Sequence, residues 1–273
     1  PMPSTTRLTR RETVITGLGP VTGYGVGLEP LWAAMLEGRS AIKPITRFDA
    51  SGLPSSAGAE TPESFNVREV VPKSYRKATK VMARDIELAV GAALNAVEHA
   101  QLRTKGTHPD EEPTISATRF GCHIGAGLIA ADVEELTAAL ASSRKDDGSF
   151  DLHAWGESGM QNLTPLWLLK YLPNMLACHV TIIHDCQGPS NTITCAEASS
   201  LLSLGESRRA IERGVADACL SGGAESKLNP MGILRQIFAK RLAPTPEGTD
   251  PATIVRPYGA DRSEERRVGK ACR

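Results

Sequence analysis

The sequence predicts an α/β fold organised on a mixed, mainly parallel sheet with helices on both faces. Three observations predict it. Short runs of β-branched residues alternate along the chain with segments of helical apolar spacing, the order expected of βαβ units and a parallel sheet. Hydrophobic residues fill 41% of the 273 positions, whereas aromatics fill only 4%. The 25 glycines and many alanines complete the pattern, because small residues let helices settle close to a sheet.

The elements follow in order. Residues 12–19 (ETVITGLG) read as a β-branched strand running into a Gly-rich turn, which Gly23, Gly25 and Gly27 extend. Residues 28–37 have helical spacing, with Leu28, Leu31, Trp32, Met35 and Leu36 on one side and Gly38 as a stop. Residues 51–64, rich in Pro, Ser and Gly, read as loop. The strongest helix covers 78–102, where Met82, Ile86, Ala89, Val90, Ala93, Leu94 and Val97 form one core-facing stripe.

After a polar connector at 105–113, residues 119–127 (RFGCHIGAG) read as a strand closed by a Gly turn. Residues 131–143 follow as a helix and 145–158 as a polar, flexible insertion. Residues 174–183 read as a helix entering a buried segment, and 191–194 as a short strand. Residues 198–214 form an amphipathic helix, with Leu201, Leu202, Leu204, Ala210 and Ile211 inward and Arg208, Arg209 and Arg213 outward. A strand at 218–220 enters Ser221-Gly-Gly-Ala-Glu225. No tandem repeat is visible.

Bulk composition excludes several classes. Basic and acidic residues both number 31, so net charge is zero and no global field favours nucleic acid or an anionic membrane. No run approaches the roughly 18 apolar residues of a membrane span, and no apolar stretch follows the basic N-terminus to make a secretory signal. The six cysteines (Cys122, Cys178, Cys186, Cys195, Cys219 and Cys272) contain no C-x-x-C pair. That argues against a disulfide framework or zinc site and for a reducing cytosol, so a cytoplasmic protein is expected. The final string RSEERRVGKACR holds five basic and two acidic groups. It resembles a translated sequencing-adapter read-through and is set apart from the fold.

Three places could carry chemistry. Gly17, Gly19 and Gly23 give G-x-G-x-x-x-G with Pro20 inside, one residue off the dinucleotide spacing, so a structural turn is the better reading. His179, His184 and Cys186 could be imagined around a metal, but their spacing converges in neither helix nor strand, which favours structural histidines. The strand–turn–helix around Cys195 is the third place. A helix N-terminus supplies unsatisfied N–H groups and partial positive charge, which favour a thiolate and an oxyanion. Equally, Cys195 could be one more small buried residue.

At this point the residues resemble a known family. GPSNTITCAEASSLLSLGESRRAIERGVADACLSGGAES is similar to the active-site stretch of the β-ketoacyl-acyl-carrier-protein synthases, condensing enzymes of fatty acid and polyketide synthesis. RRETVITGLGPVTGYG, GLEPLWAAMLEGRSAI, RFDASGLP and NMLACHVTI resemble the family's preceding segments, and Arg256-Pro257-Tyr258 the start of its second half. The resemblance implies a thiolase-like fold: the N-terminal half of a five-layered α/β sandwich, normally dimeric. The implied organisation is a disordered extension over 1–10, the synthase N-terminal domain over 11–255, the start of the missing half over 256–261, and a non-native tail over 262–273. An isolated half would also leave a broad apolar face exposed.

Anchoring the match on Gly188-Pro189-Ser190, Gly205, Gly214, Asp217, Gly222-Gly223 and Glu225 needs no gap, and puts the family's nucleophile position at Glu197, two residues past Cys195. Two residues apart on a strand is about 6–7 Å. A carboxylate cannot form the acyl thioester of condensation, so the resemblance implies a non-elongating subunit: a chain-length-factor-like partner or a decarboxylating one. Alternatives are an active condensing enzyme using Cys195, or a catalytically inert interaction module. Thiolases proper, with coenzyme A as acyl holder, resemble the GPS, GGAE and RFD segments less. The resemblance implies no cofactor of the chain's own, substrates carried on the phosphopantetheine of acyl carrier protein, and a homo- or heterodimer with a ketosynthase. The family's two histidines lie in the second half and match nothing here.

Overall fold

The computed structural model describes residues 11–255. The expectations for an extension over 1–10, a second-half start over 256–261 and a non-native tail over 262–273, with Cys272, lie outside the described residues. A segment without regular secondary structure leads into an antiparallel hairpin of Val21–Thr22 (β1) and Gly25–Val26 (β2). Leu28–Glu37 (α1) then ends at Gly38, whose φ of 62° lies in the left-handed region that glycine tolerates. A second hairpin joins Lys43–Pro44 (β3) to Ala57–Gly58 (β4). Val67–Val70 (α2) and a 3-10 stretch, Lys73–Val81, precede the long helix Arg84–His99 (α3). Phe120–Gly125 (β5), Val133–Ala141 (α4), Leu152–Glu157 (α5) and Met175–His184 (α6) follow. Ser190–Ile193 (β6), Ser199–Glu212 (α7), Ala218–Gly223 (β7) and Pro230–Phe238 (α8) complete the order.

The three-stranded sheet has the order β6-β5-β7, with both pairings parallel. Every residue of the central strand β5 is buried, so its two faces meet two different layers. Phe120, Cys122 and Ile124 join the principal core with the α3 stripe and with Leu176, Ala177, Val180 and Ile183 of α6. The alternate residues Gly121, His123 and Gly125 face the other way, where His123 meets Ser207 and Gly125 meets Ser199 of α7. The layers are therefore α3 and α6, sheet, α7. All seven residues of the expected stripe, from Met82 to Val97, are buried.

A smaller core lies apart: Ile45, Ala50 and Ile233, packed with Phe48, Leu53, Leu228, Ile237 and Leu242. It joins the β3–β4 hairpin region to α8. Asn229 caps α8 by accepting the Gly232 N–H at 2.7 Å. Asn229→Ala is expected to cost about 1 kcal/mol, read as a lowered urea midpoint with an unchanged slope. An unchanged midpoint would show that the cap contributes nothing.

Several sequence expectations need correction. Residues 12–19 make no ladder among the described residues. Gly17 and Gly19 instead lie so close to α3 that an added Cβ would come within 2.2 Å of the Ala96 carbonyl and 2.1 Å of the Ala92 carbonyl. β-Propensity without a hydrogen-bonding neighbour makes no strand, and Val14 and Ile15 are exposed in this segment. The helix expected from 78 begins at Arg84, because Met82 and Ala83 are extended. The preceding 3-10 stretch carries Tyr75 to within 2.7 Å of His179 Nδ1. The loop at 51–64 includes β4, and the insertion at 145–158 includes α5, capped by Asp151.

The largest corrections concern helix faces. In α1 only Ala34 is buried, while Trp32, Met35 and Leu36 are exposed. In α7 the buried positions are Ser199, Ser203, Ser207 and Ala210, and Leu201, Leu202 and Leu204 face out. A helix seated on glycine-rich strands needs small residues on the seated face, so the serine stripe outcompetes the leucines there. Those outward leucines leave apolar surface exposed on α7.

Candidate functional site

Parallel strands deliver their following loops to one edge of a sheet, where α/β proteins bind ligands. Here the register aligns Gly125 of β5 with Ile193 of β6 and Gly223 of β7. The loops that follow, carrying Gly127, Cys195 and Glu225, therefore open at the same edge. The N-terminus of α7 is pressed onto this row. A Cβ at Gly125 would lie 2.5 Å from backbone atoms of Ser199 and Ser200, and one at Gly223 would lie 2.8 Å from Ser200 Cβ.

The elbow between β6 and α7 is tight. β6 stops at Ile193, and Ala196–Ala198 form a 3-10 turn before α7 begins at Ser199. Cys195 and Glu197 thus do not share a strand, which corrects the strand spacing expected for them. Ala196 sits at φ 47°, a left-handed conformation costing a non-glycine residue on the order of 1 kcal/mol. Ser199 holds the turn: its Oγ accepts the Cys195 N–H at 2.8 Å and donates to the Ala196 carbonyl at 2.6 Å. The Ala198 N–H closes onto the Cys195 carbonyl at 3.1 Å.

The two sequence-nominated residues occupy this turn. Cys195 is exposed. The Glu197 side chain is 79% exposed, and its Oε1 accepts from Arg241 Nη1 at 2.9 Å. Arg241 follows α8, so the pair joins the elbow to the smaller core. Chemically, the elbow offers a helix N-terminus with its N–H dipoles, one exposed thiol, and one carboxylate tied to a guanidinium.

A buried acid braces the adjoining wall. Asp85, in the first turn of α3, accepts the Ser226 N–H at 3.1 Å from the loop after β7. Burial pushes its carboxyl up to about 6, and the Glu225 charge adds to that, while the Ser226 N–H and Lys227 oppose it. Glu225 itself pairs with Lys227 and stands where a Cβ on Gly127 would lie, 2.6 Å from Glu225 Oε1. Ser199, Arg241 and Asp85 were all missed by sequence reasoning. Only the serine spacing at 199, 203 and 207 offered a signal, as a stripe of small residues at helical period.

The histidines do other work. His123 Nδ1 lies 3.0 Å from Ser207 Oγ, and His184 Nδ1 lies 2.8 Å from Thr104 Oγ1. Burial holds His123 and His179 below the usual imidazole range and takes His184 down to about 4, so they serve as neutral, hydrogen-bonded core groups. Among the described residues no group of His, Cys, Asp and Glu is arranged to hold a metal ion. No helix there is long and apolar enough to cross a membrane. The Cys122 thiol is pushed up to about 12 by burial, unlike a reactive thiolate.

Helices on both faces of a parallel sheet, with a strained turn opening onto a helix N-terminus at its carboxyl edge, are arranged here as in thiolase-fold ketosynthases of known structure. The chain belongs to the β-ketoacyl synthase family, whose N-terminal domain model matches residues 10–259. It is 31% identical over 254 residues to a 3-oxoacyl-[acyl-carrier-protein] synthase 2 of Coxiella burnetii, covering 93% of this chain and 54% of that protein. The chain thus spans about half the length of the curated relatives it matches. The crystal structure of a β-ketoacyl synthase from Burkholderia phymatum STM815 superposes with a TM-score of 0.65 at 25% identity, over 91% of this chain and 54% of that one. The ishigamide ketosynthase/chain length factor shares the fold, with a TM-score of 0.65 at 24% identity over 86% of this chain and 52% of that one.

Proposed function

We propose that this chain is the N-terminal half of a non-elongating ketosynthase-type subunit of fatty acid or polyketide synthesis. The reading is supported by Glu197, the carboxylate that the ungapped register from Gly188 to Glu225 aligns with the family's nucleophile and that accepts a hydrogen bond from Arg241. Condensation needs an acyl thioester on that residue, and a carboxylate cannot form one. The subunit would pair with an active ketosynthase and shape its product, or decarboxylate malonyl groups without an acyl-enzyme. Substrates would arrive on the phosphopantetheine of acyl carrier protein, with no cofactor of the chain's own. A second reading keeps an active enzyme with Cys195 as nucleophile, favoured by the exposure of that thiol beside a helix N-terminus.

The test uses the chain alone and mixed with a candidate active ketosynthase. After incubation with acyl-carrier protein, mass spectrometry is expected to find no acyl adduct on Cys195, and the chain is expected to co-purify with its partner. An adduct on Cys195 in the isolated chain would restore the active-enzyme reading. If neither the native chain nor Glu197→Gln decarboxylates malonyl-carrier protein, and neither binds a partner, the inert module is the right description.

A further inference from the structure

We propose that residues 225–227 form a pH-sensitive flap, seated on α3 while Asp85 is protonated and released when Asp85 ionises. The flap borders the carboxyl edge of the sheet, so its seating sets how firmly the wall beside the elbow is held. The device involves neither Glu197 nor Cys195 and stands apart from the subunit assignment.

The stretch between β7 and α8 is anchored at both ends and held at its middle by one acid. Ala224 packs against the principal core and Leu228 against the smaller one. Asn229 then caps α8. Between these anchors Glu225, Ser226 and Lys227 have no regular secondary structure. The Ser226 N–H donates to Asp85 Oδ1 at 3.1 Å, which ties this middle part to the first turn of α3. Glu225 meets the loop after β5, where a Cβ on Gly127 would lie 2.6 Å from its Oε1. Three flap residues therefore join α3 to two of the loops at the sheet edge.

The seated position suits one protonation state of Asp85. The residue is 4% exposed, and a buried carboxylate without a paired cation is costly. Lys227 in the flap is paired with Glu225. Arg84, its neighbour on α3, is paired with Glu87 at 2.8 Å. Burial raises the carboxyl to about 6 and the Glu225 charge adds to this, against the Ser226 N–H and Lys227. Lifting residues 225–227 brings water to the carboxylate and takes Glu225 away from it, so ionisation favours the lifted flap. The seated form is fully favoured at acid pH and loses that advantage as pH rises through about 6.

Hydrogen exchange of the full chain, followed by NMR at pH 5 and pH 7 and corrected for the intrinsic pH dependence of exchange, tests the flap. Protection of the Ser226 amide is expected to fall about tenfold in the native protein, as linkage requires for a carboxyl that titrates roughly two pH units higher when seated. Asp85→Asn keeps an acceptor and cannot ionise, so its Ser226 protection is expected to be equal at the two pH values. Glu225→Gln removes the like charge at a part-exposed side chain, and is expected to show a smaller fall than native. Low urea separates a local flap from global unfolding. Protection of the Val90 amide in α3 is expected to drop in urea while that of Ser226 holds. The proposal is overturned if native Ser226 protection ignores pH, if Asp85→Asn shows the native fall, if Glu225→Gln does not reduce it, or if Ser226 follows Val90 in urea.

Discussion

Gly125→Ala is expected to lower stability by about 3 kcal/mol, at the upper end of typical overpacking costs, and to push the start of α7 off the sheet. The reason is geometric. The new Cβ would lie 2.5 Å from Ser199 C and Ser200 N and 2.8 Å from the Ser199 carbonyl oxygen. These are backbone atoms at the first turn of the elbow helix, and no rotamer change moves them. Ser199 also holds the left-handed Ala196 turn, so the displacement should reach Cys195 and Glu197. Gly205, inside α7, is the control, because nothing lies within 4 Å of a Cβ there. Gly205→Ala is expected to gain roughly 0.5–1 kcal/mol from helix propensity alone. Urea unfolding of both variants checks the pair, and a Gly125→Ala protein as stable as native would refute the close seating of α7.

Asp85→Asn is expected to stabilise the protein at pH 8 and to change little near pH 4. Burial, aided by Glu225, raises the Asp85 carboxyl from 3.8 to about 6 in the fold. The folded state thus holds this proton more tightly than the unfolded chain does. Stability falls as pH rises through that interval and stays reduced above it. A shift of this size corresponds to about 3 kcal/mol. Asparagine keeps a carbonyl oxygen for the Ser226 N–H and carries no charge, so it removes the penalty while retaining the brace. Thermal melts of both proteins at pH 4 and pH 8 make the comparison. A variant less stable at both values, or a difference that ignores pH, would show that the ionised carboxylate is not penalised.

Much of the architecture was legible because it is written in local periodicity. The stripe from Met82 to Val97 repeats at helical spacing and is buried in full. The Gly-rich ends of β5 and β7 mark where α7 must approach, and the ungapped register from Gly188 to Glu225 located the elbow. The strand expected at 12–19 failed for a different reason. A strand exists only with a neighbour, and no stretch of sequence carries its neighbour with it.

Sequence alone determined the alternation of elements and the position of the elbow, with Cys195 and Glu197 in it. Tertiary structure decided which side of α7 turns inward, selecting serines over leucines because glycine-paved strands leave space only for small side chains. It also decided the partners of the charges, Glu197 with Arg241 and Asp85 with the Ser226 N–H, across 44 and 141 residues. Period and propensity act over a few residues, whereas electrostatic pairing and burial depend on distance in space, which only the folded chain sets.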